Sequence, residues 1–83
     1  MNERVVGPIQ GYYIASYACE MGELGDRFLG FAKLCRARPE DYWLASACAK
    51  FSADDVTDSP ETAMDSAESR ARMQIANMSM HPA

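Results

Sequence analysis

Apolar and small side chains crowd residues 12–21, "YYIASYACEM", which hold three tyrosines, Ile14 and Cys19 but a single charge, at Glu20. Aromatic, β-branched and small residues bounded by glycines are strand signals, and "GELG" (22–25) supplies the closing turn. The pattern predicts a strand over 12–21. A second run, "RFLGFAKLCRA", predicts a strand over 27–37 and ends at "RPED" (38–41), where Pro39 suits the second position of a type I turn. The third run, "YWLASACAKF" (42–51), fits two periods. Leu44, Ala47, Cys48 and Phe51 fall at helical spacing, and alanine favours helix.

Strand pairing decides between them. With "GELG" as the loop, Glu20 faces Arg27, Tyr17 faces Gly30, Ala15 faces Ala32 and Tyr13 faces Leu34. With "RPED" as the next loop, Phe28 faces Phe51, Gly30 faces Ala49, Ala32 faces Ala47 and Leu34 faces Ala45. A charge pair, an aromatic over a glycine and several apolar pairs follow from one choice of register, the consistency expected of cross-strand neighbours. Residues 42–51 are therefore predicted as a third strand of an antiparallel meander.

One face of this meander carries Tyr13, Ala15, Tyr17, Phe28, Gly30, Ala32, Leu34, Trp43, Ala45, Ala47, Ala49 and Phe51. Its small centre invites a closely packed helix, and "SPETAMDSAESRARMQIANM" provides one over 60–78. Ser59 is its N-cap, Pro60 its first residue, and Glu61 sits at the positive end of the dipole. Ala63, Met64, Ala67, Ala71, Ile75 and Met78 form the apolar stripe, with Asp65, Glu68, Arg70 and Arg72 turned outward. The expected fold is α+β, a β-β-β-α domain over 11–78. Residues 1–10 are a flexible lead-in in which "RVV" could pair briefly before Gly7 and Pro8, and 79–83 form a flexible tail.

The opposite face would carry Tyr12, Ile14, Ser16, Ala18, Leu29, Phe31, Lys33, Cys35, Tyr42, Leu44, Ser46, Cys48 and Lys50. Left uncovered, it is a larger apolar patch than monomers usually expose. Residues 1–10 folding over it, a helix on this face instead of the other, or a ligand or RNA strand across Tyr12, Phe31 and Tyr42 would each account for it. The favoured expectation is contact with a second copy or a protein partner, through Tyr12, Ile14, Phe31, Tyr42 and Leu44.

Length and charge narrow the function. Eighty-three residues build one core, and 48% hydrophobic with 24% charged residues is a folding composition. A net charge of −4 disfavours nucleic acid and anionic membranes as partners. Without an apolar run of membrane length or a signal-like start, the chain is expected in the cytoplasm.

Candidate chemistry is thin. The one histidine, His81, is the third residue from the C-terminal end, beside Pro82, so Ser-His-Asp and Cys-His nucleophile pairs are not expected, and neither is an enzyme. Cys19, Cys35 and Cys48 are an odd set without CxxC spacing, expected as buried free thiols rather than disulfides or zinc ligands. Asp54, Asp55, Asp58 and Glu61 lack the spacing of a calcium loop and are expected as solvated helix-entry charges. Lys33, Arg36, Arg38 and Lys50 could line a basic strip, but Glu20, Glu40 and Asp41 dilute it. Neither GK[ST] nor GxGxxG phosphate loops occur. No cofactor or metal is expected.

The succession "GYYIASYACEM", "RFLGFAKLCRARPEDYWLASACAKFS" and "SPETAMDSAESRARMQIANM" resembles small proteins of Burkholderia-type bacteria. The resemblance covers about residues 11–78 and implies a strand-strand-strand-helix domain. It implies no activity and no catalytic residues.

Overall fold

A computed structural model describes residues 2–79, with the side chains of 2–78. The protein is α+β: four antiparallel strands in the order β1-β2-β3-β4, packed against one C-terminal helix. The strands are β1 (Glu3–Ile9), β2 (Tyr12–Glu20), β3 (Phe28–Cys35) and β4 (Ala49–Ser52), and the helix is α1 (Pro60–Ser79). His81 and residues 80–83 of the expected tail lie outside the described residues.

The first difference from expectation is β1, formed by residues assigned to a lead-in. Gln10 and Gly11, both with positive φ (50° and 85°), make a two-residue hairpin turn between Ile9 and Tyr12. Pro8 argues against a central strand, but β1 is an edge strand, and its register shifts between Val6 and Ile9.

The second difference is register. Ala18, not Tyr17, faces Gly30; Tyr17 faces Phe31, and Ile14 faces Leu34. The connection from β2 to β3 is longer than "GELG", since the Met21 amide bonds to the Arg27 carbonyl at 2.8 Å. A slip of one residue moves every β2 side chain to the other face. Tyr12, Ile14, Ser16 and Ala18 therefore turn toward the helix, and Tyr13, Ala15 and Tyr17 away from it. The helix backbone passes so close over Gly30 that its neighbour there must be small, which suits Ala18 and excludes Tyr17.

The third strand is shorter than predicted. Only Ala49–Ser52 pairs with β3, with Leu34 opposite Ala49, four residues from the expected Ala45. A four-residue shift preserves the face, so Ala49 and Phe51 still pack toward the helix as expected. Residues 42–47 are neither strand nor helix. Beyond β4, Phe28 and Thr57 exchange backbone bonds of 2.7 and 2.8 Å and carry the chain to the helix.

The helix begins as its sequence dictates. The Thr62 amide reaches the Ser59 hydroxyl at 3.4 Å, and that hydroxyl donates to Glu61 at 3.0 Å. Ala63, Met64, Ala67, Ala71 and Ile75 are buried. At one end Ala63 and Met64 meet Ala18 and Phe28, while further on Ala67, Ala71 and Ile75 meet Ile14, Ala32 and Leu34. Glu68 corrects the expected outward face: it is buried, accepting from Arg72 at 2.9 Å and from Arg4 of β1 at 3.2 Å. Arg4 also pairs with Asp65. Burial works against the Arg4 charge, but the bonds to Asp65 and Glu68 overcome it and hold its pKa above the ordinary value.

Candidate functional site

Residues 36–48, which precede β4, cross the sheet face opposite the helix. Their anchor is Tyr42. Its amide donates to Glu3 Oε1 at 3.0 Å, its carbonyl accepts from Lys33 Nζ at 2.8 Å, and the same ammonium stands 4.4 Å from the centre of its ring. A strand on each side of β2 thus holds the loop through a charged side chain, Glu3 from β1 and Lys33 from β3. The Leu44 amide, bonded to Asp41 Oδ1 at 2.8 Å, tightens the turn that follows.

Three rings gather at this anchor. Tyr17 stacks on Tyr42 with centroids 5.4 Å apart and planes at 29°. Trp43 meets Tyr17 edge-on at 4.8 Å and Tyr42 at 5.1 Å, geometries that favour the ring quadrupoles. Burial raises the pKa of Tyr42 and of Tyr17, with Tyr17 adding to the shift at Tyr42 and Cys19 to that at Tyr17. Trp43 remains 60% exposed and Leu44 68% exposed at the crest of the loop. Phe31, across from Tyr17 on β3, is half-buried and extends the aromatic surface along the sheet.

The five expected contact residues divide between the two faces. Ile14 is fully buried beneath the helix and has no surface to offer. Tyr12 is half-buried and packs against the same core. Phe31, Tyr42 and Leu44 belong to the other side, with Tyr42 as a buried anchor and Leu44 as an exposed crest. The register slip causes this division, because Tyr12 and Ile14 move with β2 while Phe31 stays. The same slip brings Tyr17 out from the face expected under the helix, and Trp43 joins it because residues 42–47 are loop. The signal that could have found the cluster is "YW" (42–43), two adjacent aromatics in a chain whose strand β2 carries three tyrosines.

The other candidate groups are dispersed. Cys19 is half-buried, Cys35 buried and Cys48 exposed, all as free thiols. Among the described residues, no three His, Cys, Asp or Glu side chains converge as metal ligands. Asp54 pairs with Arg70. Arg38 lies 5.8 Å from the Tyr13 ring centre. Among the described residues, no helix is long and apolar enough to cross a membrane. No family model, curated protein or solved structure matches the chain.

Proposed function

We propose that the protein is a small, non-enzymatic interaction module that self-associates through the crest formed by Trp43 and Leu44 and the adjoining Tyr17 and Phe31. The observation that carries this reading is Trp43: a large apolar side chain held 60% exposed by a loop whose backbone is fixed on both sides through Tyr42. Exposed aromatics on a rigid support lose little freedom on binding, and tryptophan and tyrosine are the residues around which interface energy concentrates. The surface offers apolar area rather than groups that move protons, which favours binding over catalysis. Nucleic acid is the less supported occupant, because Lys33 is already engaged with the ring and carbonyl of Tyr42.

Trp43 is the sole tryptophan, so its emission reports directly on this crest. Light scattering should give a dimer mass that falls to the monomer mass on dilution, with Trp43 emission moving to longer wavelength in parallel. Phe31→Glu and Leu44→Asp should be monomeric while retaining the wild-type circular dichroism. A wild-type chain that stays monomeric as it is concentrated removes self-association. An emission change on adding single-stranded RNA would transfer the reading to nucleic acid.

A further inference from the structure

β3 and β4 part at two cysteines. Leu34 lies opposite Ala49, and one step further along the strands come Cys35 and Cys48. The Cys48 amide donates to the Leu34 carbonyl at 2.8 Å, and its thiol lies 3.4 Å from the same oxygen. The strand pairing ends at Leu34 and Ala49, so these bonds hold Cys48 beside the residue that precedes Cys35, and the Cys48 thiol is near enough to Cys35 to act on its titration; a disulfide needs the two Cα atoms within roughly 4.4–6.8 Å. The two thiols differ in access. Cys35 is 1% exposed, whereas Cys48 is exposed and lines a cleft of about 460 Å³ with Arg36, Arg38, Pro39, Leu44 and Ser46. Neither arginine joins an ion pair among the described residues, which leaves both able to receive carboxylates.

We propose that Cys48 and Cys35 form a dithiol–disulfide couple that exchanges with small carboxylate-bearing disulfides, Cys48 reacting first and Cys35 resolving. With glutathione disulfide as the probe, the Cys48 thiolate attacks one sulfur. The S–S bond of the probe breaks, one glutathione leaves as thiolate and takes up a proton, and the other remains bonded to Cys48. Cys35 then gives its proton to solvent and attacks the Cys48 sulfur, forming the Cys35–Cys48 bond and expelling the second glutathione. Two protein thiols are oxidised, and one disulfide is reduced to two thiols.

Burial raises the Cys35 pKa, the nearby Cys48 adds to the rise, and Lys33 opposes it. The resolving step therefore quickens as pH rises and more of Cys35 is thiolate. The new bond closes residues 36–47 at their base, the segment that carries Tyr42 and Trp43. This inference stands apart from self-association, and neither depends on the other.

Mass spectrometry and peptide mapping of the full chain, incubated with glutathione disulfide, test it. The expected product is lighter by two hydrogens and links the Cys35 and Cys48 peptides. Cys35→Ala should stop at a glutathionyl adduct on Cys48, and Cys48→Ser, at an exposed position that should not disturb folding, should leave Cys35 unreacted. Replacing Arg36 and Arg38 with Gln should slow the first step roughly five- to tenfold, the scale of exposed charge contacts, and leave reaction with uncharged hydroxyethyl disulfide unchanged. An adduct on wild-type Cys48 that never passes to Cys35, a link through Cys19, or no reaction overturns the couple. An unchanged rate in the arginine variant overturns carboxylate recognition.

Discussion

Gly30 lies directly beneath Ala63: a Cβ placed on Gly30 would stand 1.8 Å from the Ala63 carbonyl oxygen and 3.3 Å from the Ala67 Cβ. No side chain fits there, so the glycine sets how closely helix and sheet approach. Gly30→Ala must lift the helix or bend the strand, and overpacking of this kind costs about 1–3 kcal/mol, occasionally more. The backbone oxygen has no rotamer to escape into, so the upper end, about 3 kcal/mol, is expected from urea unfolding. A loss under about 1 kcal/mol would mean that the helix is not seated on Gly30.

The same contact separates what could be read from the sequence from what could not. The helix was legible because its determinants are local: Ser59, Pro60 and Glu61 at its start, and alanines at helical spacing. The faces of β3 and of Ala49 and Phe51 were legible from alternation. The face of β2 was not, because it depends on the length of a turn. Two glycines in "GELG" suggested four residues, whereas Gly22 and Gly25 (φ 87° and 69°) serve a longer connection. The choice between Tyr17 and Ala18 opposite Gly30 is made by the helix, a partner distant in sequence. The aromatic crest was hidden for a related reason: "YWLASACAKF" has strand-like composition, but Tyr42 is held by Glu3 and Lys33 from other strands.

Ser16 tests the floor under the helix. It is fully buried, and its hydroxyl meets no hydrogen-bond partner among the described residues. Burying an unsatisfied hydroxyl costs roughly 1–3 kcal/mol. Alanine matches the neighbouring small residues without that cost, so Ser16→Ala is expected to raise stability by about 1 kcal/mol in denaturant titration. Destabilisation would reveal a partner for the hydroxyl, such as an internal water.

Glu68 joins β1 to the helix by accepting from Arg4 and Arg72 at once. Glu68→Gln keeps the shape and removes the charge. With the arginines partly solvated, screening reduces the expected loss to about 1–2 kcal/mol. The difference from wild type should narrow at about 1 M salt. Hydrogen exchange should show β1 amides opening more readily in the variant, and unchanged protection there would separate Glu68 from the docking of β1.

Alkaline pH should loosen the loop face before it affects the helix. Cys35, Tyr42 and Tyr17 all have pKa values raised in the folded chain, chiefly because burial disfavours their anions. A group with a raised folded pKa binds its proton more tightly when folded. Its stabilisation is complete below the unfolded value and is lost as pH rises through the folded one. The ordinary thiol value is 9.0 and the ordinary phenol value 10.0, so these groups should leave stability level up to about pH 9 and lower it beyond. Thermal midpoints measured from about pH 7 to about pH 11 give the profile. Cys35→Ala starts from a lower midpoint because it removes buried volume, so the comparison is of onset: its decline should begin nearer the phenol range than the thiol range. An onset identical to wild type would show that the buried Cys35 thiol does not govern this edge of the stability profile.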